Sequence, residues 1–472
     1  MMFTGRTTGW LASIMALAAA LSGCAITAPD VPATKLRQSA PIASSSDAGT
    51  PWPTAQWWER YQDPVLDDLM ARGIKDAPSL TTASARVQSA RDYVRVAAAS
   101  GGLQATANAD AQRIRLSDNG IFPPRLLGFN WYNDSDLGIG FSYTFDWWGK
   151  QRATVEAALD QAKAAAAERH AALLVLSGGI ADSYFGWQAD QLRIGLATDR
   201  VNTLIHEQQI AERRVAADLD RPDTVHEITE SVAVARELLV QAQSSAHLHL
   251  IALAAFLGCR PDELPTLEPR PLPAPTSGLP ANLTLDLIAH RPDVAASRWR
   301  VESSMHGLKA AKAEYYPDIS LTGLVGLSAI RINKLLEVGS GAPALGAAVH
   351  LPLFDNHLRD ANFATRRSQM TEAIAVYDEA IVAAAHDVAS TMETRLALDE
   401  QRRERLRELE SAEALASSAS ARFKAETTDI RPVLQATLAV NANQDALTQL
   451  TLAALHADIA LQRALGGGYV SK

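Results

Sequence analysis

Residues 141 to 158 read FSYTFDWWGKQRATVEAA, in which Phe141, Tyr143 and Phe145 alternate with Ser142 and Thr144 before an alanine-rich pattern takes over. Alternation with period two predicts a half-buried strand, and the change to a period near 3.6 predicts a helix. The alternation recurs three more times. PDISLTGLVGLSAI places Ile319, Leu321, Gly323, Val325 and Leu327 on one face, and GAAVHLPLF does the same for Ala347, Val349, Leu351 and Leu353. In the first half, LQATANADAQRI pairs in pattern with SDLGIGFSYTF, whose second face would carry Ser, Thr, Asn and Gly and so suit water. Four strands are expected, at about 103–115, 136–146, 317–330 and 345–354, each near the 9 to 11 residues that a tilted membrane-spanning strand needs. An ordinary soluble antiparallel sheet is the alternative. Trp131, Tyr132, Trp147 and Trp148 stand near the strand ends, where amphipathic rings favour a membrane interface.

The helical pattern is unusually long. No proline occurs from Arg125 to Arg221 or from Leu353 to Arg431, so each stretch can hold a helix of about 60 residues, roughly 90 Å at 1.5 Å per residue. Counting by seven gives a coiled-coil-like seam of Leu159, Ala166, Leu173, Ile180, Trp187, Ile194 and Val201. Ile374, Ile381 and Val388 repeat the spacing beside Met370 and Tyr377. Such seams must be covered by neighbouring helices.

The chain also says the same thing twice. APSLTTASARVQSARDYVRVAAAS, from Ala77, parallels RPDVAASRWRVESSMHGLKAAKAE, from Arg291, and YTFDWWGKQRA parallels LPLFDNHLRDA, with Phe145-Asp146 over Phe354-Asp355. ERRVAADLDRPDTV parallels ARFKAETTDIRPVL, a charged break between helices in each half. The predicted organisation is a signal peptide at 1–23, an N-terminal segment at 24–55, repeats at 56–262 and 281–467 around a proline-rich linker at 263–280, and a tail at 468–472. Each repeat runs helix, strand, strand, long helix, tip turn, helix, with the turns at about 216–223 and 425–432.

Composition narrows the compartment. The first residues carry Arg6, an apolar run from Trp10 to Leu21 and Leu21-Ser22-Gly23-Cys24, the layout of a secretory signal. That tetrapeptide resembles the bacterial lipobox, which implies a covalent lipid on Cys24; the plainer alternative is an ordinary signal with an incidental cysteine. Ala25 in place of aspartate implies delivery to the outer membrane. The only other cysteine is Cys259, so no disulfide is expected, and Cys259 reads as a buried small residue. A net charge of −9 without a basic cluster argues against nucleic acid. No later apolar run of about 20 residues predicts a transmembrane helix, but transmembrane strands leave a much weaker signal.

Four strands cannot close a barrel, which needs about eight. Unpaired backbone groups in hydrocarbon cost several kcal/mol each. If the strands enter a membrane, several chains must share one wall.

Taken together, QWWERYQDPVLDDLM, FDWWGKQRA, HRPDVAASRWRVESSMHGLKAAKAEYYPDISLTG and LPLFD resemble the ordered motifs of outer membrane factors of the NodT type, within the TolC-like superfamily. The resemblance spans Cys24 to Gly468. It implies a mainly α fold with membrane β: a homotrimer with a twelve-stranded barrel and a periplasmic helical tunnel. It further implies the outer-membrane part of a tripartite efflux pump, partnered by a periplasmic membrane-fusion adaptor and an inner-membrane transporter of the RND or another class. No cofactor or metal is implied beyond the lipid. Relatives often carry glycine in the tip turns where this chain has Ala217 and Glu426. Asp218, Asp220, Arg221 and Asp223 in the first tip, with Asp429 and Arg431 in the second, are the candidate gate and adaptor-contact residues; solvated turn residues are the alternative.

Competing functions leave weaker traces. HEQQI and HEITE each lack the second histidine of a zinc-protease helix, and no serine elbow or phosphate loop is present, so no enzyme is expected. A coiled-coil lipoprotein tether would explain the seams but not the repeated strand pairs. A type I protein-secretion conduit shares the architecture.

Overall fold

The computed structural model describes residues 29–31, 36–41, 51–274 and 283–470. The signal peptide, Cys24, most of the N-terminal segment and the end of the linker lie outside the described residues. In chain order the elements are α1 (Pro64–Asp76), α2 (Pro78–Ser100), β1 (Gln104–Arg115), the single turn α3 (Pro124–Leu127), β2 (Trp131–Phe145), α4 (Lys150–Ala216), α5 (Pro222–Leu257), α6 (Leu283–His290), α7 (Pro292–Ala313), β3 (Asp318–Ala329), β4 (Ala344–His350), α8 (Leu358–Lys424) and α9 (Arg431–Ala464). The duplication is explicit. α2-β1-β2-α4-α5 repeats as α7-β3-β4-α8-α9, and α4 and α8 have the same length of 67 residues, about 100 Å.

The described residues divide into two compact units. The first comprises Ser89–Ala162 and Trp299–Ala375 with a short N-terminal piece, and holds all four strands. They form one antiparallel sheet in the order β1-β2-β3-β4, leaving β1 and β4 as unpaired edges. Two boundaries differ from expectation. β2 begins at Trp131 rather than near 136, because the hairpin ladder continues to the pair Arg115 and Trp131, and polar residues there do not interrupt pairing. β4 stops at His350 rather than near 354; Pro352 has no N–H to give to a ladder. Beside the sheet, a small core gathers Leu308, Ala311, Tyr315, Phe363 and Met370.

The passage from strand to helix rests on the repeated Phe-Asp pair. The Asp146 carboxylate accepts from the backbone N–H groups of Gln151 at 3.0 Å and Arg152 at 2.8 Å. Asp355 accepts from the N–H of Arg359 at 3.3 Å and from its Nε at 2.5 Å. A carboxylate here satisfies donors that a starting helix leaves orphaned and complements the positive end of its dipole. Each long helix can therefore start within a few residues of a strand end.

The second unit comprises Leu36–Gln88, Lys163–Arg298 and Val376–Lys472. Its core joins Trp57, Trp58, Tyr61, Leu66, Leu69 and Met70 to Ile180, Tyr184, Phe185, Leu253, Leu455 and Ile459. Asp63 caps α1 through Val65 N–H at 2.9 Å and accepts the Tyr184 hydroxyl at 2.7 Å. The Tyr61 hydroxyl donates to buried Asp458 at 2.6 Å, so the N-terminal aromatic motif is a packing device. The described part of the linker, to residue 274, forms no helix or strand after Glu263 and is held down: Leu264, Leu267 and Leu272 pack on this core, and Arg270 meets Asp63 at 3.3 Å. Close approach of α4 and α5 needs Gly179, where a Cβ would sit 2.3 Å from the Phe256 ring. Cys259 lies at the core margin, half-buried rather than buried.

The seams are covered in part. Ile180, Trp187, Val201, Met370, Tyr377, Ile381 and Val388 are buried, whereas Leu159 is 43 % exposed and Ala153, Ala158, Ala164 and Ala167 are buried near it instead. Contrary to expectation, α5 is long and apolar enough by composition to cross a membrane.

Asp146→Ala should cost about 1 kcal/mol and lower the far-UV circular dichroism melting temperature, while Asp146→Asn, which keeps one acceptor oxygen but loses the second and the charge, should recover only part of that loss.

Candidate functional site

Register divides the sheet into two chemically distinct faces. Across β1 to β4 the paired rows Ala107-Ile139-Val325, Ala105-Phe141-Gly323-Leu345 and Tyr143-Leu321-Ala347 lie on one face, with Leu137 and Leu327 beyond them. The opposite face carries Thr106, Asn108 and Asp110 from β1, Asp134, Asp136, Gly138, Gly140, Ser142 and Thr144 from β2, and Ser320, Thr322 and Ser328 from β3. Ile139, Tyr143, Leu321, Val325, Leu345 and Val349 are exposed. A continuous exposed apolar sheet face is stable in lipid and a liability in water. The polar face suits a water-filled lumen.

The aromatic residues singled out from the sequence occupy different places. Tyr143, Phe145 and Trp147 form a ladder of edge-on and tilted rings at 5.0 and 6.3 Å along the apolar face. Trp148 stacks on Tyr316 at 4.5 Å and donates Nε1 to the Pro317 carbonyl at 2.9 Å, which ties the end of β2 to the start of β3. Trp131 shares the apolar face, but Tyr132, one residue on, is on the polar face with Phe129 at 6.4 Å.

The second unit contains the two turns that link its long helices. Both α4 and α8 end in the same way: Leu219 N–H reaches the Arg214 carbonyl at 2.8 Å, and Thr427 N–H reaches the Arg422 carbonyl at 3.1 Å. This six-to-one bond requires a left-handed residue. Asp218 at φ 55° and Glu426 at φ 57° fill that position. The expected equivalence of Ala217 with Glu426 is therefore off by one residue in the first turn, because α5 starts at Pro222, four positions after Asp218, and α9 starts at Arg431, five positions after Glu426.

Four charged side chains knit the turns together. Arg214 holds Asp220 with Nε at 2.7 Å and Nη2 at 3.0 Å, a bidentate geometry. Arg431 binds Asp429 at 2.7 and 2.9 Å and reaches Asp220 at 3.7 Å. The hydrogen bond from Arg214 holds the Asp220 carboxyl below its ordinary range, and that from Arg431 does the same for Asp429. Arg221 and Asp223 form a separate exposed pair at 2.7 Å. Asp218 serves the turn through its backbone. Of the sequence candidates the structure thus brings together Asp220, Asp429 and Arg431, and it adds Arg214, which no local signal marked.

The model of the family described as "Outer membrane efflux protein" matches residues 71–259 and 283–467, once per repeat. The chain belongs to the outer membrane efflux protein family. MdtP of Escherichia coli strain K12, named a multidrug resistance outer membrane protein, is 28 % identical over 469 residues, covering 97 % of this chain and 96 % of that one. MdtQ of Escherichia coli O157:H7 carries the same description and is 30 % identical over 436 residues, covering 89 % of each chain. Among solved structures, outer membrane protein VceC of Vibrio cholerae aligns with a TM-score of 0.77 at 30 % identity over 89 % of this chain and 100 % of that one. The outer-membrane channel OprN aligns with a TM-score of 0.82 at 25 % identity over 94 % of this chain and 99 % of that one.

An outer membrane efflux protein resides in the outer membrane, and its two-faced sheet is the part built for lipid. This one is an efflux channel component with the TolC-like fold that its repeat anticipates.

Because both tip carboxyls are held low, their contribution to this outer membrane efflux protein is complete above the ordinary carboxylate pKa of about 4 and is lost as pH falls below that value through their lowered folded range. Hydrogen exchange in 214–223 and 425–432, corrected for intrinsic rates, should be flat from neutral to mildly acidic pH and rise below that range. Arg214→Ala should raise exchange in both turns, with the rise in 425–432 reporting the link between them.

Proposed function

We propose that this outer membrane efflux protein is the passive exit conduit of a tripartite pump that carries drugs or other toxic small molecules out of the cell. The observation that carries the reading is the open-edged four-stranded sheet with one apolar and one polar face. One chain leaves two edges unpaired, and three chains supply the twelve strands of a closed wall with the polar face inside. Val240, Leu248 and Ile251 on α5 are also exposed in a single chain, which favours packing between chains. A periplasmic membrane-fusion adaptor and an inner-membrane transporter, RND-type or other, complete the machine and provide its energy. The relatives' description as multidrug resistance proteins supports drugs as cargo. A lipid on Cys24 anchors the N-terminus at the membrane surface. The protein performs no chemistry on its cargo.

Arg214, Asp220, Asp429 and Arg431 act in this reading as a latch. They hold the two tip turns of each chain together and narrow the periplasmic end until an adaptor docks. Asp218, Arg221 and Asp223 face solvent beside the latch and are candidate adaptor contacts.

Deleting the gene should sensitise cells to a panel of antibiotics, dyes and detergents, and the intact gene should restore resistance; an unchanged panel contradicts the efflux assignment. In planar bilayers, Asp429→Ala with Arg431→Ala should raise open probability, and Arg214→Ala should do the same. No change in either variant contradicts the latch.

A further inference from the structure

Above the apolar band, on the same face of the sheet, the register places a cluster of cations that efflux does not explain. Arg113 pairs with Asn133 and Arg115 with Trp131, so these four side chains continue the face of Ala109-Leu137 and Ala111-Ser135. Arg113 lies over the Trp131 ring at 5.6 Å, a cation–π arrangement. On β3 the row ends at Ala329, opposite Ser135. Arg331 follows two residues later, in the bend just past the end of β3, with backbone φ −139° and ψ 125°. All three arginines are exposed. Among the described residues none of the three forms an ion pair, and the nearby aspartates of the strands, Asp110, Asp134 and Asp136, belong to the opposite face.

Position and charge together identify a partner. Arg113 stands two residues, about 7 Å, beyond Ala111, and β1 and β3 are about 10 Å apart. This is the level at which an apolar wall meets headgroups, where Trp131 is also well placed. The connections at this end, 116–130 and 330–343, are long, and in outer-membrane proteins the long loops are the external ones. The adjacent leaflet is therefore the outer one, whose lipids in this membrane carry phosphorylated sugars.

We infer that Arg113 and Arg115, with Trp131 and with Arg331 just past the neighbouring end of β3 as a further cation, form a binding site for the phosphorylated headgroup of an outer-leaflet glycolipid. Guanidinium groups take phosphate bidentately and remain charged at all physiological pH, and the Trp131 ring offers a face to the sugar. The inference rests on the outer-membrane placement of the sheet.

The test uses the full-length purified protein in detergent, titrated with bis-phosphorylated lipid A and followed by native mass spectrometry. Dephosphorylated lipid A and phosphatidylglycerol should each bind about tenfold more weakly, and Arg113→Gln with Arg115→Gln should weaken lipid A binding by about the same factor. Arg113→Lys with Arg115→Lys, which keeps the charge and loses the bidentate fork, should bind between wild type and the Gln variant. Equal binding of the dephosphorylated lipid overturns a phosphate site, equal binding of phosphatidylglycerol overturns the glycolipid assignment, and a Gln variant that binds like wild type overturns the residues. If the variants fail to assemble, the comparison of lipids on the wild type decides alone. Fractionation of the Gln variant with the outer membrane separates failure of the lipid site from failure of the membrane placement.

Discussion

An open sheet edge cannot face hydrocarbon, because each unpaired N–H or C=O there costs several kcal/mol with no water to offset it. β1 and β4 both end the four-stranded sheet with such edges, while the face between them is apolar along Leu137, Ile139, Phe141, Tyr143 and Phe145. The apolar face demands lipid and the edges forbid lipid unless they are paired. Association of chains edge to edge resolves the conflict. The duplication supplies the strands two at a time, so each repeat adds one hairpin to the wall.

The same economy governs the passage out of the membrane. A strand that leaves hydrocarbon must hand its backbone to another hydrogen-bonded form without a long irregular segment. The Phe-Asp pair serves both passages, with the Phe145 ring on the apolar side of β2, Phe354 four residues past the end of β4, and each carboxylate on early N–H groups of the helix that follows. At the opposite ends of α4 and α8 a left-handed residue closes each helix, Asp218 in one turn and Glu426 in the other. Aspartate tolerates that conformation better than glutamate does. Local chemistry thus sets where each long helix begins and ends.

Much of this was legible because period-two alternation and proline-free length are local signals. Ile319 to Leu327 and Phe141 to Phe145 declared their faces directly, and the repeat fixed the order of elements. The start of β2 was hidden because Asn133 and Asp134 look like loop residues, whereas a hairpin that rises out of the bilayer can pair through polar positions. Tyr132 was placed by proximity, and only register reveals that it faces away from Trp131. The link from Asp220 to Arg431 joins turns that lie in different repeats, and Arg214 sits in a helix end rich in arginine where nothing singles it out. Such pairings depend on tertiary geometry, which no local pattern encodes.

The central claim is that neighbouring chains complete the sheet. The most direct measurement is the oligomeric mass of the purified protein in lipid nanodiscs, by light scattering or mass photometry. The account predicts one particle of three chain masses with both sheet edges protected from hydrogen exchange. A stable single chain in lipid, with β1 and β4 exchanging freely at their outer edges, would contradict it.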